Sequence, residues 1–475
     1  MFAYRRSAKT LFLPAILWPV SGLILRVNFR LTHSVKEAVL KYQVVALAVV
    51  VFLVAACSGN TDPDGPVQVV FWHAMGGPLG DVLEDSLIAE FNATHEDIEI
   101  LPVCMGNYSA LSQKIMAGVM AGSPPGMAQA YETWTAQLIR GGALVPLDSL
   151  MDTDSSYTDE MWNDFFPVFQ ANNTFDGRVY SFPFNKSVPL VYYNVDLFDS
   201  LGVVPATTWD EQRELLRILT LDGNGDGDYL DAEDRRGTAF GTSVWTFECL
   251  LAQAGGSLLN EDSTETAFNS PEGIQALNYL TTLLYEDSTA YLTTGYDHQK
   301  GFAEGRVGQV QGSVTSLAFM IRDMQRRSES GLSTFTIGTA PLPAGREQAV
   351  YISGTNVILF QNDDPRVVEA GWEFIKWFTR PDIQARWFAG SGYLPAKISS
   401  LEEPEVLAKI EEYPGLEAVL EQLHCAVFEP QITAWYDGRT FLSESIEIVL
   451  YGRMSPEEAL SRAADLADAE IRTGR

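Results

Sequence analysis

Residues 184–194 of this 475-residue chain have the sequence FNKSVPLVYYN, and this stretch decides the predicted fold. It is apolar, aromatic and β-branched, which is typical of a strand. Pro189 lies in its middle, and because proline cannot donate to a ladder, this point belongs at a sheet edge or at a crossing. Blocks rich in helices lie on both sides. We interpret residues 184–194 as the segment that crosses between two α/β lobes, with Ser187 exposed between them. An ordinary edge strand within one domain is the alternative.

The chain before this crossing alternates strands and helices. Strands are predicted at Val67–His73, 98–103 and 127–131, with helical spacing after each of the first two. Such alternation indicates a parallel sheet with helices on both faces. Ligands bind beyond the carboxyl ends of such strands, which is where Tyr108 and Glu132 fall. Packing for Tyr108 and helix capping for Glu132 are the ordinary alternatives.

Length and the N-terminal region predict a multidomain, exported protein. At 475 residues two domains are expected, and a hydrophobic content of 46% excludes a disordered chain. Residues 44–56 form an apolar run that ends in small residues directly before Cys57, which resembles a lipoprotein signal. The run is short for a membrane span, although a buried or membrane-anchoring helix is the alternative. A second apolar run at 11–25 suggests that translation starts further along, near Val35.

We therefore expect residues 1–57 to be a signal segment, and the mature chain to be extracytoplasmic, in the periplasm or at the cell surface. A lipid on Cys57 would hold it to a membrane. Removing residues 1–56 takes away seven bases and one acid, so the formal net charge falls from −30 to −36. Such a surface repels nucleic acid and excludes it as a partner. The remaining Cys104, Cys249 and Cys425 allow at most one disulfide.

A calcium-binding loop is predicted after a helix over residues 208–221. Residues 222–233 have the sequence DGNGDGDYLDAE, with side-chain oxygens at positions 1, 3 and 5, glycine at 6 and glutamate at 12, as in an EF-hand loop. The predicted ligands are Asp222, Asn224, Asp226, Glu233 and, through its backbone carbonyl, Asp228. A solvated acidic loop is the alternative. Since the sequence has no second loop of this kind, we expect Ca²⁺ to have a structural role.

An ordered series of short motifs resembles the solute-binding proteins of carbohydrate-type ABC importers, and most of all their sn-glycerol-3-phosphate-binding branch. The series covers nearly the whole mature chain: Phe71-Trp72-His73, Gly106-Asn107-Tyr108, Tyr131-Glu132, Phe184-Asn185, Ser187, Pro189, Tyr192-Tyr193-Asn194, Thr208-Trp209, Ser353-Gly354 and Gly392-Tyr393-Leu394-Pro395. No single motif is specific, but the ordered set is.

The resemblance implies an α/β, two-lobed fold of the type II periplasmic-binding-protein kind, with a sheet flanked by helices in each lobe and a helical C-terminal region. The implied lobes are 66–184 with 341–368 (lobe I) and 189–337 with 369–475 (lobe II). Closure of two such lobes around a ligand is known behaviour of periplasmic binding proteins.

The resemblance also implies a ligand-binding set: Tyr108, Glu132, Ser187, Trp245, Ser313, Gly354, Tyr393 and Arg439. In these roles Glu132 accepts hydrogen bonds from glycerol hydroxyls, Trp245 lies against the carbon skeleton, and Arg439 presents a planar, two-pronged cation to a phosphate. The Gly354 amide and the hydroxyls of the two serines and Tyr393 would donate to phosphate oxygens.

One position departs from the family pattern. The family has a second tryptophan three residues before the position of Trp245, and this chain has Thr242 there. The smaller side chain leaves room for a glycerophosphodiester such as glycerophosphocholine, or for a neutral sugar.

These features together predict a monomeric substrate-binding lipoprotein of an ABC importer, without an organic cofactor. It would capture sn-glycerol-3-phosphate or a glycerophosphodiester between its lobes and deliver it to a membrane permease. A neutral sugar or oligosaccharide is the alternative ligand. A hydrolase of glycerophosphodiesters or glycans is an alternative of another class, but the five histidines lack metal-ligand spacing, and no Gly-x-Ser-x-Gly or P-loop motif occurs.

Overall fold

The computed structural model describes residues 65–227, 229 and 234–474. Within it, Pro66–Arg475 forms one compact unit. The signal segment and Cys57 lie outside the described residues. Among the helices that are described, none has the length and apolar character needed to cross a membrane.

The described strands form two main sheets and several two-stranded pairs. Their bounds are β1 Val67–His73, β2 Ile98–Cys104, β3 Met127–Ala130, β4 Thr174–Phe175, β5 Arg178–Val179, β6 Ser181–Pro183, β7 Pro189–Asn194, β8 Thr238–Phe240, β9 Ala290–Leu292, β10 Gln309–Ser313, β11 Ile337–Ala340, β12 Val350–Tyr351, β13 Asn356–Leu359 and β14 Ala426–Val427.

The first sheet has the strand order β2-β1-β3-β13-β6. Strands β1, β2 and β3 are parallel, as the alternation of strands and helices predicts, and β13 is antiparallel to both β3 and β6. In β1 the side chains of Val69, Phe71 and His73 are fully buried, because alternate residues of a strand point to the same face.

The second sheet places β7 between β10 and β11, with both pairings antiparallel. Since β6 belongs to the first sheet and β7 to the second, the crossing predicted within residues 184–194 is confirmed, and the edge-strand alternative is wrong. The strand begins at Pro189, five residues later than Phe184, and a first strand position tolerates a missing backbone donor. Residues 184–188 form the connection.

Helices cover much of the remaining described chain. Their bounds are α1 Pro78–Gly80, Asp81–Ile88 and Ala89–Thr94 in succession, α2 Tyr108–Met120, α3 Glu132–Arg140, α4 Asp148–Thr153, α5 Asp159–Asn163, α6 Pro167–Asn172, α7 Val195–Leu201, α8 Trp209–Leu219, α9 Val244–Gln253, α10 Pro271–Thr281 continuing as Thr282–Glu286, α11 Asp297–Ala303, α12 Ser316–Glu329, α13 Pro365–Phe378, α14 Pro381–Ser391, α15 Pro404–Glu412, α16 Leu416–Glu421, α17 Trp435–Leu450 and α18 Pro456–Thr473.

The C-terminal region is mostly helical, as predicted, apart from the short strand β14. Trp387 of α14 and Trp435 of α17 are among the largest fully buried side chains, so these helices form part of the core. The lobe boundaries remain a prediction. The two main sheets and the crossing between them are what position the candidate site.

Candidate functional site

Tyr108 is held where the chain crosses between the sheets. Asn107 caps α2 by accepting a hydrogen bond from the Ala110 amide at 2.9 Å, and Tyr108 is the first residue of that helix. Asn185 Nδ2 donates to the Tyr108 hydroxyl at 2.9 Å, and its Oδ1 accepts from Gln129 Nε2 at 3.1 Å. Burial raises the pKa of Tyr108, so its phenol stays neutral.

Glu132 forms a buried ion pair with Lys186, a residue that the sequence analysis does not single out. Lys186 Nζ donates to Glu132 Oε1 at 3.1 Å and to Asn172 Oδ1 at 2.7 Å, and its side chain is 1% exposed. Asn172 Nδ2 donates to the same Glu132 oxygen at 2.8 Å. Burial lowers the pKa of Lys186, and the Glu132 carboxylate opposes that shift. The pair is compensated by hydrogen bonds, as a buried charge requires.

Ser187, Ser313 and Gly354 meet at the crossing. The expectation that Ser187 is exposed there is wrong: it is buried, because its backbone pairs with Ser353 and its hydroxyl contacts Ser313. Ser187 and Ser353 exchange two backbone hydrogen bonds of 2.9 Å, and Ser187 Oγ lies 2.5 Å from Ser313 Oγ. Gly354 has a φ of +102°, and a Cβ there would lie 1.9 Å from the Asn185 carbonyl oxygen, so only glycine fits. Lys186 Nζ lies 3.4 Å from the Gly354 carbonyl oxygen, which connects this group to the ion pair.

Tyr393 and Trp245 reach the same region from other elements. Tyr393 stacks on Trp387 with ring centroids 5.7 Å apart, and its hydroxyl lies close enough to that of Tyr108 to raise the pKa of Tyr108 further. Trp245, in the first turn of α9, donates its indole N–H to the Tyr351 carbonyl oxygen at 2.7 Å and is half-buried.

Arg439 forms a charge cluster with two glutamates, Glu429 and Glu248. Arg439 Nε donates to Glu429 Oε1 at 3.0 Å and lies 3.9 Å from Glu248 Oε1. Trp435 Nε1, one turn earlier on α17, donates to Glu429 Oε2 at 3.0 Å. Glu248 is fully buried, and neither of its carboxylate oxygens has a hydrogen-bond partner among the described residues. The cluster therefore contains one base and two acids.

Burial and mutual repulsion favour a proton on this cluster. Burial raises the pKa of Glu248 well above its ordinary value of 4.5, and the neighbouring Glu429 raises it further, against the opposing effect of Arg439. The pKa of Glu429 is also raised, first by burial. Burial lowers the pKa of Arg439, but the two carboxylates outweigh it and the net pKa is raised. One shared proton would leave the cluster uncharged.

Tyr131 connects the two halves of the candidate site. Its ring packs against that of Tyr108, with ring centroids 5.3 Å apart. Burial raises the pKa of Tyr131, and Glu132, Tyr393, Glu429 and Arg439 lie within electrostatic range of its hydroxyl. The structure thus brings Tyr108, Glu132, Tyr393 and Arg439 together, and joins the other predicted ligands, Ser187, Ser313, Gly354 and Trp245, through the contacts above. Thr242 is exposed just before α9, and the described contacts do not place it in this group.

Sequence reasoning missed Lys186, Glu248 and Glu429. Two signals were present: a lysine inside an otherwise apolar strand-like stretch, and a glutamate between Phe247 and Cys249 in an apolar helix. Ionisable residues at such positions are buried only when paired. The sequence pattern does not show which acid or base will be the partner, because this depends on the tertiary fold.

The described part of the predicted calcium loop is folded around Asp222, the first of its predicted ligands. Asp222 accepts hydrogen bonds from the Gly225 amide at 2.7 Å and the Gly227 amide at 3.0 Å, and Gly227 has a φ of +81°. This fits the sharp turn expected at position 6. Asp228 and Glu233 lie outside the described residues, and no group of three or more potential metal-ligating side chains occurs in the part of the chain described.

The three cysteines within the described chain, Cys104, Cys249 and Cys425, are all free thiols. The sequence allows at most one disulfide among these three cysteines, and the structure contains none. Burial raises the pKa of the Cys249 thiol, which keeps it protonated.

Solved structures of binding proteins share this fold. The cyclic α-maltosyl-1,6-maltose binding protein of Arthrobacter globiformis matches with a TM-score of 0.71 and 25% identity, over 86% of this chain and all of that one. UgpB of Mycobacterium tuberculosis, solved with glycerophosphocholine, matches with a TM-score of 0.71 and 20% identity, over 86% of this chain and 99% of that one, which shows the fold alone. The molecule thus has the two-lobed α/β fold of periplasmic sugar-binding proteins.

Residues 86–418 match the family of bacterial extracellular solute-binding proteins. This is more than half of the chain, and the protein belongs to that family.

Relatives with assigned ligands match along almost the full chain. The sn-glycerol-3-phosphate-binding periplasmic protein UgpB of Pectobacterium atrosepticum is 26% identical over 465 residues, which covers 94% of this chain and 98% of the relative. The protein of the same name from Yersinia enterocolitica is 27% identical over 419 residues, covering 84% and 91%. The names of both relatives describe periplasmic binding proteins.

Proposed function

We propose that this protein captures sn-glycerol-3-phosphate or a glycerophosphodiester at the candidate site and delivers it unchanged to an ABC permease. Arg439 supports this most. Its side chain is 42% exposed, and Nε is its one nitrogen within hydrogen-bonding distance of a carboxylate among the described residues. The two terminal nitrogens can therefore meet a phosphate in bidentate fashion.

The other groups around Tyr131 suit the remainder of such a ligand. Glu132 uses Oε1 for Lys186 and Asn172, which leaves Oε2 to accept from hydroxyls. Hydroxyl groups of Ser187, Ser313 and Tyr393 supply neutral donors. The set binds and orients a polyol phosphate, and neither a metal-activated nor a base-activated nucleophile has been identified in it.

A calorimetric comparison of ligands tests this proposal. We expect sn-glycerol-3-phosphate and glycerophosphocholine to bind the purified mature chain, whereas inorganic phosphate and maltose bind far more weakly. Each bound solute should be recovered chemically intact by mass spectrometry after prolonged incubation. Binding of maltose without binding of either phosphorylated solute would refute the proposal, and hydrolysis of the phosphodiester would replace it with the enzyme alternative.

A neutral sugar is the second candidate, and the charge cluster favours it. Glu248 and Glu429 offset the charge of Arg439, and carboxylates that surround a cation also accept hydrogen bonds from sugar hydroxyls. In that case the arginine orients the acids and does not bind an anion. The same calorimetric comparison separates the two candidates.

We further propose that Ca²⁺ stabilises the loop at residues 222–233. Asp222, Asn224, Asp226, Asp228 and Glu233 would hold the ion, which would supply a structural cross-link there. A ligand present at about 100 times its Kd stabilises a fold by about 2.7 kcal/mol. EDTA should lower the melting temperature of the wild type but not of Asp222→Ala, and an unchanged wild-type melting temperature would contradict this.

We also propose that a lipid on Cys57 holds the monomeric protein at a membrane. The apolar run before it and the small residues next to it support this. Expression of the full chain in a bacterium with the lipoprotein pathway should give a membrane-bound product, and Cys57→Ala should give a product that fractionates without the membrane. Equal fractionation of both would contradict the anchor.

A further inference from the structure

A cavity of about 730 Å³ adjoins the charge cluster. One wall consists of α3 and the turn between β4 and β5, and contributes Ala136 and Phe175. The opposite wall consists of residues 257–264 and 428–434. None of these side chains belongs to the ligand set that the sequence predicts.

The cavity adjoins the candidate site. Glu429 and Tyr351 both line it. Glu429 accepts the hydrogen bond from Arg439, and the Tyr351 carbonyl accepts that from Trp245. A ligand whose phosphate lies at Arg439 therefore has this cavity directly beside it.

Hydrogen bonds hold each wall to a neighbouring element. Gln431 Nε2 in one wall donates to the Asn172 carbonyl oxygen at 2.8 Å, and Arg140 Nη1 at the end of α3 donates to the Gly474 carbonyl oxygen at 2.6 Å. Contacts of this kind fix the backbone and side chains that border the cavity, which lowers the cost of ordering them around a ligand.

The cavity is far larger than glycerol needs. Pockets of roughly 300–1,000 Å³ enclose drug-sized ligands. A three-carbon polyol would leave most of 730 Å³ filled with water. The space beyond a glycerol unit therefore has room for a second group, and a sugar-sized ring fits within it.

The lining excludes a second anion and suits hydroxyl groups. The acids that line the cavity are Asp176, Glu261, Asp262 and Glu429, and Arg140 is the base. Like charges repel an additional phosphate or carboxylate in such a space. Carboxylates and the amides of Asn260 and Gln431 accept and donate hydrogen bonds with hydroxyls.

Building on the proposed function, we propose that this cavity binds the second alcohol of a glycerophosphodiester, and that this alcohol is an uncharged ring polyol. The phosphodiester would lie at Arg439, the glycerol at Glu132, and the ring between Ala136 and residues 257–264. The preferred solute is then a glycerophospho-polyol and not free glycerol phosphate.

Filling the cavity tests this assignment. Ala136→Trp places a large ring in the space, whereas Gln137→Trp places the same ring on the exposed side of the same helix and is the matched control. The probes are sn-glycerol-3-phosphate, glycerophosphoinositol and glycerophosphocholine, titrated into wild type and both variants by calorimetry.

We expect the wild type to bind glycerophosphoinositol more tightly than sn-glycerol-3-phosphate. Ala136→Trp should raise the Kd for glycerophosphoinositol by about tenfold or more, because the added ring overfills the cavity. The Kd for sn-glycerol-3-phosphate should stay within about twofold of the wild-type value. Gln137→Trp should change neither. A correctly folded Ala136→Trp protein is recognised by that unchanged affinity for the smaller ligand.

The assignment is overturned if the wild type binds glycerophosphoinositol no more tightly than sn-glycerol-3-phosphate, a comparison that needs no variant. It is also overturned if glycerophosphocholine is the tightest ligand, which would make the cavity a site for a cation. Absence of binding by all three phosphorylated probes would instead refute the proposed function itself.

Discussion

The candidate site contains two groups of oppositely charged side chains, and they differ in how completely the charges are compensated. Lys186 and Glu132 form an ion pair of one base and one acid, and the side-chain amide of Asn172 forms hydrogen bonds with both. In the charge cluster, Arg439 faces two acids, and Glu248 has no hydrogen bond among the described residues. The first arrangement is complete within the protein, and the second is not.

This difference separates a mainly structural ion pair from a mainly ligand-binding cluster. The compensated pair fixes the crossing segment against the first sheet and leaves only Oε2 of Glu132 for a ligand hydroxyl. A half-exposed arginine beside a protonatable acid can accept an anion, because a proton on the acid removes the competing charge. We therefore expect a variant of Lys186 to change mainly the stability of the fold, and a variant of Arg439 to change mainly the affinity for the ligand.

The largest expected effect is on stability, at the buried pair. Lys186→Met removes the base and leaves Glu132 buried beside apolar atoms. Breaking a buried pair in this way destabilises a protein by about 3–5 kcal/mol. Chemical denaturation measures the change in the free energy of unfolding.

Lys409→Met is the matched control, because Lys409 pairs with Glu412 at 3.2 Å where both side chains are more exposed. A pair of this kind contributes about 0–1 kcal/mol. Equal decreases in the free energy of unfolding for the two variants would mean that the Lys186–Glu132 pair stabilises the fold no more than an exposed ion pair does.

The next largest effect is on ligand affinity, at the charge cluster. Arg439→Ala should cost about 2 kcal/mol or more of binding free energy for a phosphorylated solute, since hydrogen bonds to charged groups contribute about 1.5–3 kcal/mol. This corresponds to a Kd that rises about 30-fold. Calorimetry with sn-glycerol-3-phosphate gives the value.

Arg462→Ala, at an exposed arginine on α18, is the control and should bind as the wild type does. Unchanged affinity in Arg439→Ala would favour a neutral sugar as the ligand and assign the arginine a structural role.

A smaller effect concerns the pH dependence of stability. The pKa of Glu248 is raised in the folded state, so its contribution to stability is fully present below pH 4.5 and is lost as pH rises through the folded-state pKa. The groups that surround Glu248 are Glu429, Arg439, Tyr351 and Cys249. Glu248→Gln cannot ionise and should therefore gain stability relative to the wild type as pH rises.

We expect the free energy of unfolding of Glu248→Gln to increase relative to that of the wild type between pH 4 and pH 8. The two proteins should differ less at pH 4 than at pH 8 in denaturant titrations. A difference that is constant across this range would show that Glu248 does not titrate there.

The smallest effect is expected at Thr242. Thr242→Trp introduces the larger side chain that the family has at this position. It should raise the Kd for glycerophosphocholine a few-fold, while the Kd for sn-glycerol-3-phosphate stays the same or falls slightly. Thr242→Val, of nearly the same volume as threonine, is the control. Equal affinities for both solutes in all three proteins would mean that this exposed position does not limit ligand size.

The sequence predicts the parallel sheet and the crossing because both depend on local pattern. Alternating strands and helices indicate the first sheet, and Pro189 in an apolar stretch indicates the change of sheet. The predicted ligand positions rest on resemblance, and the structure brings most of them together. The start of β7 at Pro189 was missed, because an apolar residue such as Phe184 suits a connection between two cores as well as a strand.

The charge partners could not be predicted from the sequence. Glu248 lies 181 positions from Glu429 along the chain, and it becomes a neighbour of Arg439 because α9 packs against α17. Periodicity shows which face of a helix is buried, but it does not show what lies opposite. The cavity beside the cluster escaped prediction for the same reason.

The most direct test of the account is a crystal structure of the mature protein with sn-glycerol-3-phosphate. The account predicts that the phosphate lies within about 3 Å of the terminal nitrogens of Arg439, with the glycerol hydroxyls at Glu132. A phosphate bound elsewhere, or a site that stays empty under these conditions while a neutral sugar occupies it, would contradict the account.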